Sequence, residues 1–466
     1  MKRIEVDVAI IGAGTAGMRA YRAARAHTER LVLIESGPGG TTCARAGCMP
    51  SKLLIAAADH AHAARQADAF GVRVAGLAVD GAAVMARVRR ERDRFVGFVL
   101  DTVDGWPAAH RLRGRARFIG PGRLALDDGT QIDAGRVVIA TGARPSVPEA
   151  WRAALGERLV TSEEIFDWPE LPGAVAVVGT GVIGLELAQA LHRLGVRVRL
   201  FGRSQRIGPL TDPALQARVG AWADKALPCS RGIGDPEVAR EGDGVVVRWH
   251  EAGEDRAERF DYLLAAAGRH PDLADLDLAA AGLPVDDRGV PPFDPATGQV
   301  GDSPVFIAGD ASADRPLLHE ADDAGRIAGD NAGRYPNLRP GLRRTPLNVV
   351  FTDPQMAIAG ASHARLSAAG SDFAVGEVDF ANQGRARVML RNEGLLRVYG
   401  RRGDGRLLGA ELFGPDAEHL AHLLAWAVQR GDSVAQLLDQ PFYHPVLEEG
   451  LRTALQALAR ALQGDR

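Results

Sequence analysis

Of the three cysteines in this chain, Cys43 and Cys48 sit five positions apart in GTTCARAGCMPSK, Gly40 to Lys52. Pro50 and the run SKLLIAAADHAHAARQ follow, with apolar residues at helical spacing and Ser51 suited to a first turn. A helix start lowers a thiol's pKa and makes one sulfur a standing thiolate. The pair therefore reads as a redox disulfide. A metal half-site needing further Cys or His ligands, and two unrelated buried thiols, are the alternatives. A second constellation lies near the far end, in PFYHPVLEEGLRTAL, where His444 is followed by Glu448 and Glu449. A histidine with a carboxylate about a turn away can form an oriented acid/base pair, and the plainer alternative is a surface histidine.

The elements that must position these groups begin with a glycine device. EVDVAII reads as an apolar strand, followed at once by GAGTAG and the helix-forming run MRAYRAARAH. Gly12 permits the tight turn, Gly14 lets the backbone approach a pyrophosphate, and Gly17 lets the helix pack on the strand. A second strand, LVLIE, ends in Glu35, 21 positions after Gly14, where an acid binds a ribose hydroxyl. The device recurs as VAVVG with Gly179, Gly181 and Gly184 of GTGVIG, then a helix and the strand VRVRLF. Two dinucleotide folds imply two dinucleotides. At the same offset the second copy has Gly202 instead of an acid, with Arg203 and Arg206 beyond it. Two guanidinium groups without a repelling carboxylate suit a 2′-phosphate, so NADP(H) is expected to serve at least as well as NAD(H).

Between these devices, residues 60 to 105 read as a long amphipathic helix with Val84, Val88, Phe95 and Val99 on one face. His60 and His62 on this stretch carry no assigned chemistry, and no metal site is expected. ATG at Ala140 to Gly142 closes the first region, and VFIAGDAS delivers Asp310 after the second fold is complete. The order predicts one nucleotide fold interrupted by another, then an α+β region from about residue 341. The formal net charge is -3 with basic and acidic residues interspersed, so neither nucleic acid nor an anionic membrane is an implied partner. No apolar run approaches a bilayer span and the start lacks signal-peptide regions, which predicts a cytoplasmic protein.

With these pieces in hand, the chain resembles the class I pyridine nucleotide-disulfide oxidoreductases, the family of dihydrolipoyl dehydrogenase, glutathione reductase and mercuric reductase. The matching pieces run in order: GAGTAG, C-x4-C-x-P-S-K, ATGARP, GTGVIGLE, GR at 268 to 269, AGD at 308 to 310, FTDPQ at 351 to 355, and HP-x-x-x-E from His444 to Glu449. The resemblance implies an α/β fold of two Rossmann-like domains and a dimerisation domain. An FAD domain (1–148 and 267–340) encloses an NAD(P) domain (149–266), and residues 341–466 make a homodimer. It points to Cys43 as the thiol that exchanges with substrate and to Cys48 as the one touching the flavin. His444, contributed across the dimer, is then the base and Glu449 its orienting partner. Lys52 and Glu186 pair near the flavin, and Thr141, Gly142, Gly268 and Asp310 join the cofactor-binding set.

The closest likeness is to dihydrolipoyl dehydrogenase, which implies a lipoyl dithiol as substrate. The rivals are an NADPH-dependent reductase of a small disulfide and a redox sensor that does not turn over. Several positions depart from the family pattern: Thr41 stands where a second glycine is common, Arg45 where Asn is common, and HPVLEE replaces the frequent HPTLSE. No cysteine follows Cys229, so the C-terminal thiol pair expected of a mercuric reductase is missing, and Cys229 itself is expected to be a bystander.

Overall fold

The computed structural model describes residues 2–464. Its first sheet is built on the strand Arg3–Ile11, whose apolar run continues without alternation because both faces are covered; Val8, Ala9 and Ile10 are fully buried. This strand lies parallel to Leu31–Glu35 on one side and to Gln131–Ile139 on the other. The N-terminal half of Gln131–Ile139 pairs antiparallel with Arg123–Leu126, and its C-terminal half pairs parallel with Val305–Ile307. The chain thus returns to its first sheet only after completing a second one.

That second sheet is wholly parallel, in the order Cys229–Arg231, Arg197–Gly202, Ala174–Val178, Tyr262–Ala265, Leu159–Thr161. A small antiparallel sheet of three strands spanning Glu237 to Phe260 is inserted before Tyr262. The third sheet is antiparallel, in the order Leu347–Val350, Gln355–Gly360, Leu407–Gly414, Leu395–Arg401, Phe373–Asp379, and is covered by the helices Ala417–Arg430 and Glu448–Gln463. The architecture is therefore mixed α/β with two doubly wound nucleotide-type sheets and a C-terminal α+β lobe, as expected.

One expectation needs correcting. Residues 60 to 105 do not form one helix: Cys48–Gln66 and Gly81–Asp104 are separate, joined by a 3-10 turn and a segment without regular structure. Gly71 takes φ +79° and ends the 3-10 turn Ala67–Phe70 that closes the first helix, and the Asp80 side chain accepts the Ala83 amide at 2.9 Å to start the second. Val88 is buried on the second helix, while Val84, Phe95 and Val99 are only half-buried.

The second and third sheets are locked together by two carboxylates that are wholly buried, Asp212 and Glu411. Glu411 accepts the amides of Thr211, Asp212 and His363 and the Thr211 hydroxyl. Asp212 accepts from Arg397 and, at 3.0 Å, from the Tyr399 hydroxyl. Burial pushes the Tyr399 phenol far above its ordinary value, which keeps it a donor.

Candidate active site

Three consecutive residues with positive φ, Gly39, Gly40 and Thr41, turn the chain from the first sheet into the cysteine segment. Thr41, at φ +59°, occupies a conformation that suits glycine, and its hydroxyl accepts the Ala44 amide at 3.2 Å to cap the short helix Thr42–Ala46. The next helix begins at Cys48, with its first amides free of a side-chain cap. Cys43 is half-buried and Cys48 exposed, and both are free thiols. The Cys43 thiol donates to the Cys48 sulfur, which lowers the Cys48 pKa to about 7, with the Lys52 charge adding to the effect against burial. Cys43 is pushed up, first by that same bond and then by burial. One thiol is thus a ready thiolate and the other holds the proton. Among the described residues no group of three His, Cys, Asp or Glu lies together as a metal site. Cys229 lies at an edge strand of the second sheet, and burial pushes its thiol up to about 11.

Lys52, one helical turn beyond Cys48, donates to Glu186 at 2.7 Å. Glu186 is 5% exposed on the helix Val182–Arg193, so this pair joins the cysteine helix to the second sheet's lobe. Its other oxygen accepts the Phe351 amide at 2.9 Å. The Lys52 ammonium also sits 4.4 Å from the centre of the Phe351 ring. Phe351 was visible in the sequence only as part of FTDPQ, with no role attached.

Both glycine turns are shaped to receive a pyrophosphate. A Cβ at Gly14 or Gly181 would meet nothing within 4 Å, whereas one at Gly17 or Gly184 would strike the carbonyl oxygen of Gly12 or Gly179 at 1.8 and 1.9 Å. The helices Thr15–Arg25 and Val182–Arg193 both start without a side-chain cap, leaving their amides for an anion. At the first turn Glu35 accepts the Ala13 amide at 2.8 Å and the Gly37 amide at 2.6 Å, which fixes it at the strand end. The Thr141 hydroxyl is buried with no hydrogen-bond partner, and burial raises the Asp310 carboxyl while Arg269 opposes it. Gly142 and Gly268, both at positive φ, also face open space. An orphaned hydroxyl beside open glycines fits a bound FAD.

At the second turn the structure separates the two arginines. Arg206 donates to the Pro209 and Leu210 carbonyls, so its guanidinium is engaged in its own loop. Arg203 is 65% exposed and its nearest carboxylate, Asp235, lies 3.6 Å away and is equally exposed. A Cβ at Gly202 would come within 2.7 Å of the Thr180 methyl, so packing helps explain the missing acid. Packing likewise requires Gly184.

His444 Nδ1 pairs with Glu449 Oε2 at 3.0 Å. The carboxylate is held further by the Val446 amide at 3.3 Å and by Arg452 at 3.2 Å. Its pKa is lowered, chiefly by the imidazole. The His444 ring is 79% exposed and, within the described residues of one chain, bonds to neither cysteine.

Two nucleotide cradles tied to a dithiol define an oxidoreductase that moves electron pairs between thiols and dinucleotides. A family model described as pyridine nucleotide-disulphide oxidoreductase matches residues 6–326, and the dimerisation domain of the same family matches residues 347–455. The chain belongs to that family, which is FAD-dependent with NAD(P) as electron partner. The dimerisation domain supports a homodimer.

Among relatives, a mercuric reductase of Acidithiobacillus ferrooxidans is 32% identical over 98% of this chain and 83% of its own length. A dihydrolipoyl dehydrogenase of Chlamydia muridarum is 27% identical over 95% of this chain and 94% of its own. Among solved structures, LpdA from Mycobacterium tuberculosis superposes with a TM-score of 0.81 at 24% identity, covering 98% of this chain and 99% of that one. The HOCl-induced flavoprotein disulfide reductase RclA from Escherichia coli gives 0.80 at 23% identity, covering 97% and 99%. At those identities the two structures speak for the fold alone. No described helix is long and apolar enough to cross a membrane.

Proposed function

We propose that the protein is a dithiol oxidoreductase of the dihydrolipoyl dehydrogenase type, with an FAD domain (1–148 and 267–340), an NAD(P) domain (149–266) and an interface domain (341–466). The observation that carries this reading is the His444–Glu449 pair. Nδ1 is occupied by the carboxylate, so Nε2 is left as the free nitrogen, and the ring is exposed on the lobe that makes the dimer. A base there serves a thiol substrate; a sensor that does not turn over has no use for one.

In the proposed cycle, His444 of one subunit takes the proton from a substrate thiol bound at the other subunit's cysteines. The resulting thiolate attacks the Cys43 sulfur of the Cys43–Cys48 disulfide, and Cys48 departs as a thiolate. The second substrate sulfur then attacks the substrate sulfur of the mixed disulfide and expels Cys43, which takes the proton released by that second thiol; the substrate leaves as a disulfide, and the first proton remains on His444 opposite the Cys48 thiolate. Cys48 is stabilised as a thiolate at that point by the Cys43 thiol and the Lys52 charge. FAD, when bound, supplies the two-electron passage from this dithiol to NAD(P).

Reduction of mercuric ion is a second reading, favoured by relatives at 32% identity. On that reading Cys43 and Cys48 would receive the ion. Steady-state assays of dihydrolipoamide with NAD and NADP, beside glutathione disulfide and mercuric ion with NADPH, decide the matter. Turnover of dihydrolipoamide that is lost in His444→Gln is expected. Turnover of mercuric ion alone would overturn the primary reading.

A further inference from the structure

The helix Val182–Arg193 carries three polar side chains, Glu186, Gln189 and Arg193, on one face. All three are buried, where an apolar stripe would be usual. Each is satisfied by the short segment Phe351 to Asp353. Glu186 accepts the Phe351 amide at 2.9 Å; Gln189 accepts the Asp353 amide at 2.8 Å and donates to its carbonyl at 2.9 Å; Arg193 reaches the Asp353 carboxylate at 2.9 Å. Buried polar groups that are fully paired define one arrangement and exclude slippage. The Phe351 backbone is therefore fixed relative to Glu186, and its ring meets the Lys52 ammonium with 4.4 Å from nitrogen to ring centre.

We propose that Phe351 is a positioning residue of the redox site, its amide orienting Glu186 and its ring face holding the Lys52 ammonium against that carboxylate, so that one charge stays one turn from Cys48. A lysine has a long stem with many rotamers, and a carboxylate alone leaves several of them open. A second attraction from a ring face removes most of that freedom. Three side chains act on the Cys48 sulfur: Cys43 from the preceding helix and Lys52 from its own favour the thiolate, and Glu186 from the second lobe opposes it more weakly than Lys52 favours it. Phe351 touches none of the reacting atoms and acts through two of these three. The proposal rests on the reading of Cys48 as the thiolate beside the flavin.

The test uses the FAD-loaded dimer in a Cys43→Ser background, so that Cys48 titrates without its thiol partner. The rate of Cys48 alkylation by iodoacetamide is followed against pH, alongside the long-wavelength thiolate-to-flavin absorbance. Phe351→Leu, which keeps the amide and much of the bulk, is expected to raise the half-point by about half a pH unit, and Phe351→Tyr to leave it unchanged. Lys52→Met should raise it further, and adding Phe351→Leu to Lys52→Met should then change nothing. An unshifted half-point in Phe351→Leu, or a shift that persists in the Lys52→Met background, overturns the proposal. If Phe351→Leu does not fold, Phe351→Met replaces it under the same criteria. Loss of the absorbance in the Cys43→Ser parent with the alkylation shift intact would remove Cys48 from the flavin and leave the role of Phe351 standing.

Discussion

Arg203→Glu tests the reading of the coenzyme loop most directly. Arg203 is 65% exposed, and its pairing with Asp235 at 3.6 Å is worth no more than about 1 kcal/mol, so turning toward a 2′-phosphate costs little. A charge-assisted hydrogen bond to that phosphate contributes about 1.5–3 kcal/mol, which corresponds to about 10- to 100-fold in kcat/KM. Replacement by glutamate removes this contact and adds repulsion, so NADP(H) use should fall by at least about 30-fold. NAD(H), with only a hydroxyl at that position, should change by no more than about threefold. Arg206 gives a built-in control. Its guanidinium is committed to the Pro209 and Leu210 carbonyls, so Arg206→Ala should affect both coenzymes alike, through the loop. The assay is kcat/KM for each coenzyme with one thiol substrate. A hundredfold preference of the unaltered enzyme for NAD, or equal losses for both coenzymes in Arg203→Glu, would refute the argument.

The thiols should behave asymmetrically: Cys43→Ser retains a thiolate-to-flavin absorbance and Cys48→Ser loses it, whereas matching spectra would undo the assignment. Mixed dimers of Cys43→Ser with His444→Gln, each inactive alone, should recover one working site per dimer; a failure of mixing ever to restore turnover would refute the shared site. In the reduced enzyme, alkylation of Cys48 should have its half-point near pH 7 in place of the ordinary 9.0. Because that folded pKa lies below the unfolded one, the Cys48 contribution to stability is complete above about pH 9 and disappears as pH falls through about 7, which thermal unfolding of the reduced protein across that window would register. Thr41→Ala should cost about 1 kcal/mol through loss of the helix cap while keeping the strained φ, and Thr41→Gly should be more stable than Thr41→Ala by about 1 kcal/mol; equal unfolding midpoints would show that the strain is absent.

The fold was legible wherever the chemistry is local. GAGTAG and GTGVIG announce their strands and helices because only glycine fits where Gly17 and Gly184 pack, and Glu35 could be located by counting along a regular strand. The cysteine loop and the helix that follows it were legible for the same reason, since they are neighbours in sequence. The break at Gly71 was missed because the apolar spacing on either side continues a helical pattern, although Gly71 and Asp80 were both breaker signals. The strand Gln355–Gly360 went unread behind FTDPQ. Phe351 was illegible for a different reason: its partners, Lys52 and Glu186, are brought to it from two other lobes, and nothing in its local sequence encodes them. The difference between Arg203 and Arg206 was likewise invisible, because it depends on which backbone carbonyls the loop turns inward.

The buried ties around the second sheet have a bearing on coenzyme exchange. Lys52–Glu186, the Gln189 and Arg193 bonds to Asp353, and the Asp212 and Glu411 network fasten that lobe to both its neighbours. Swinging it open would strip several buried charges of their partners at once, at a cost of about 3–5 kcal/mol for each one left uncompensated. These ties oppose a hinge at this boundary. Coenzyme release then need not wait for a lobe to open.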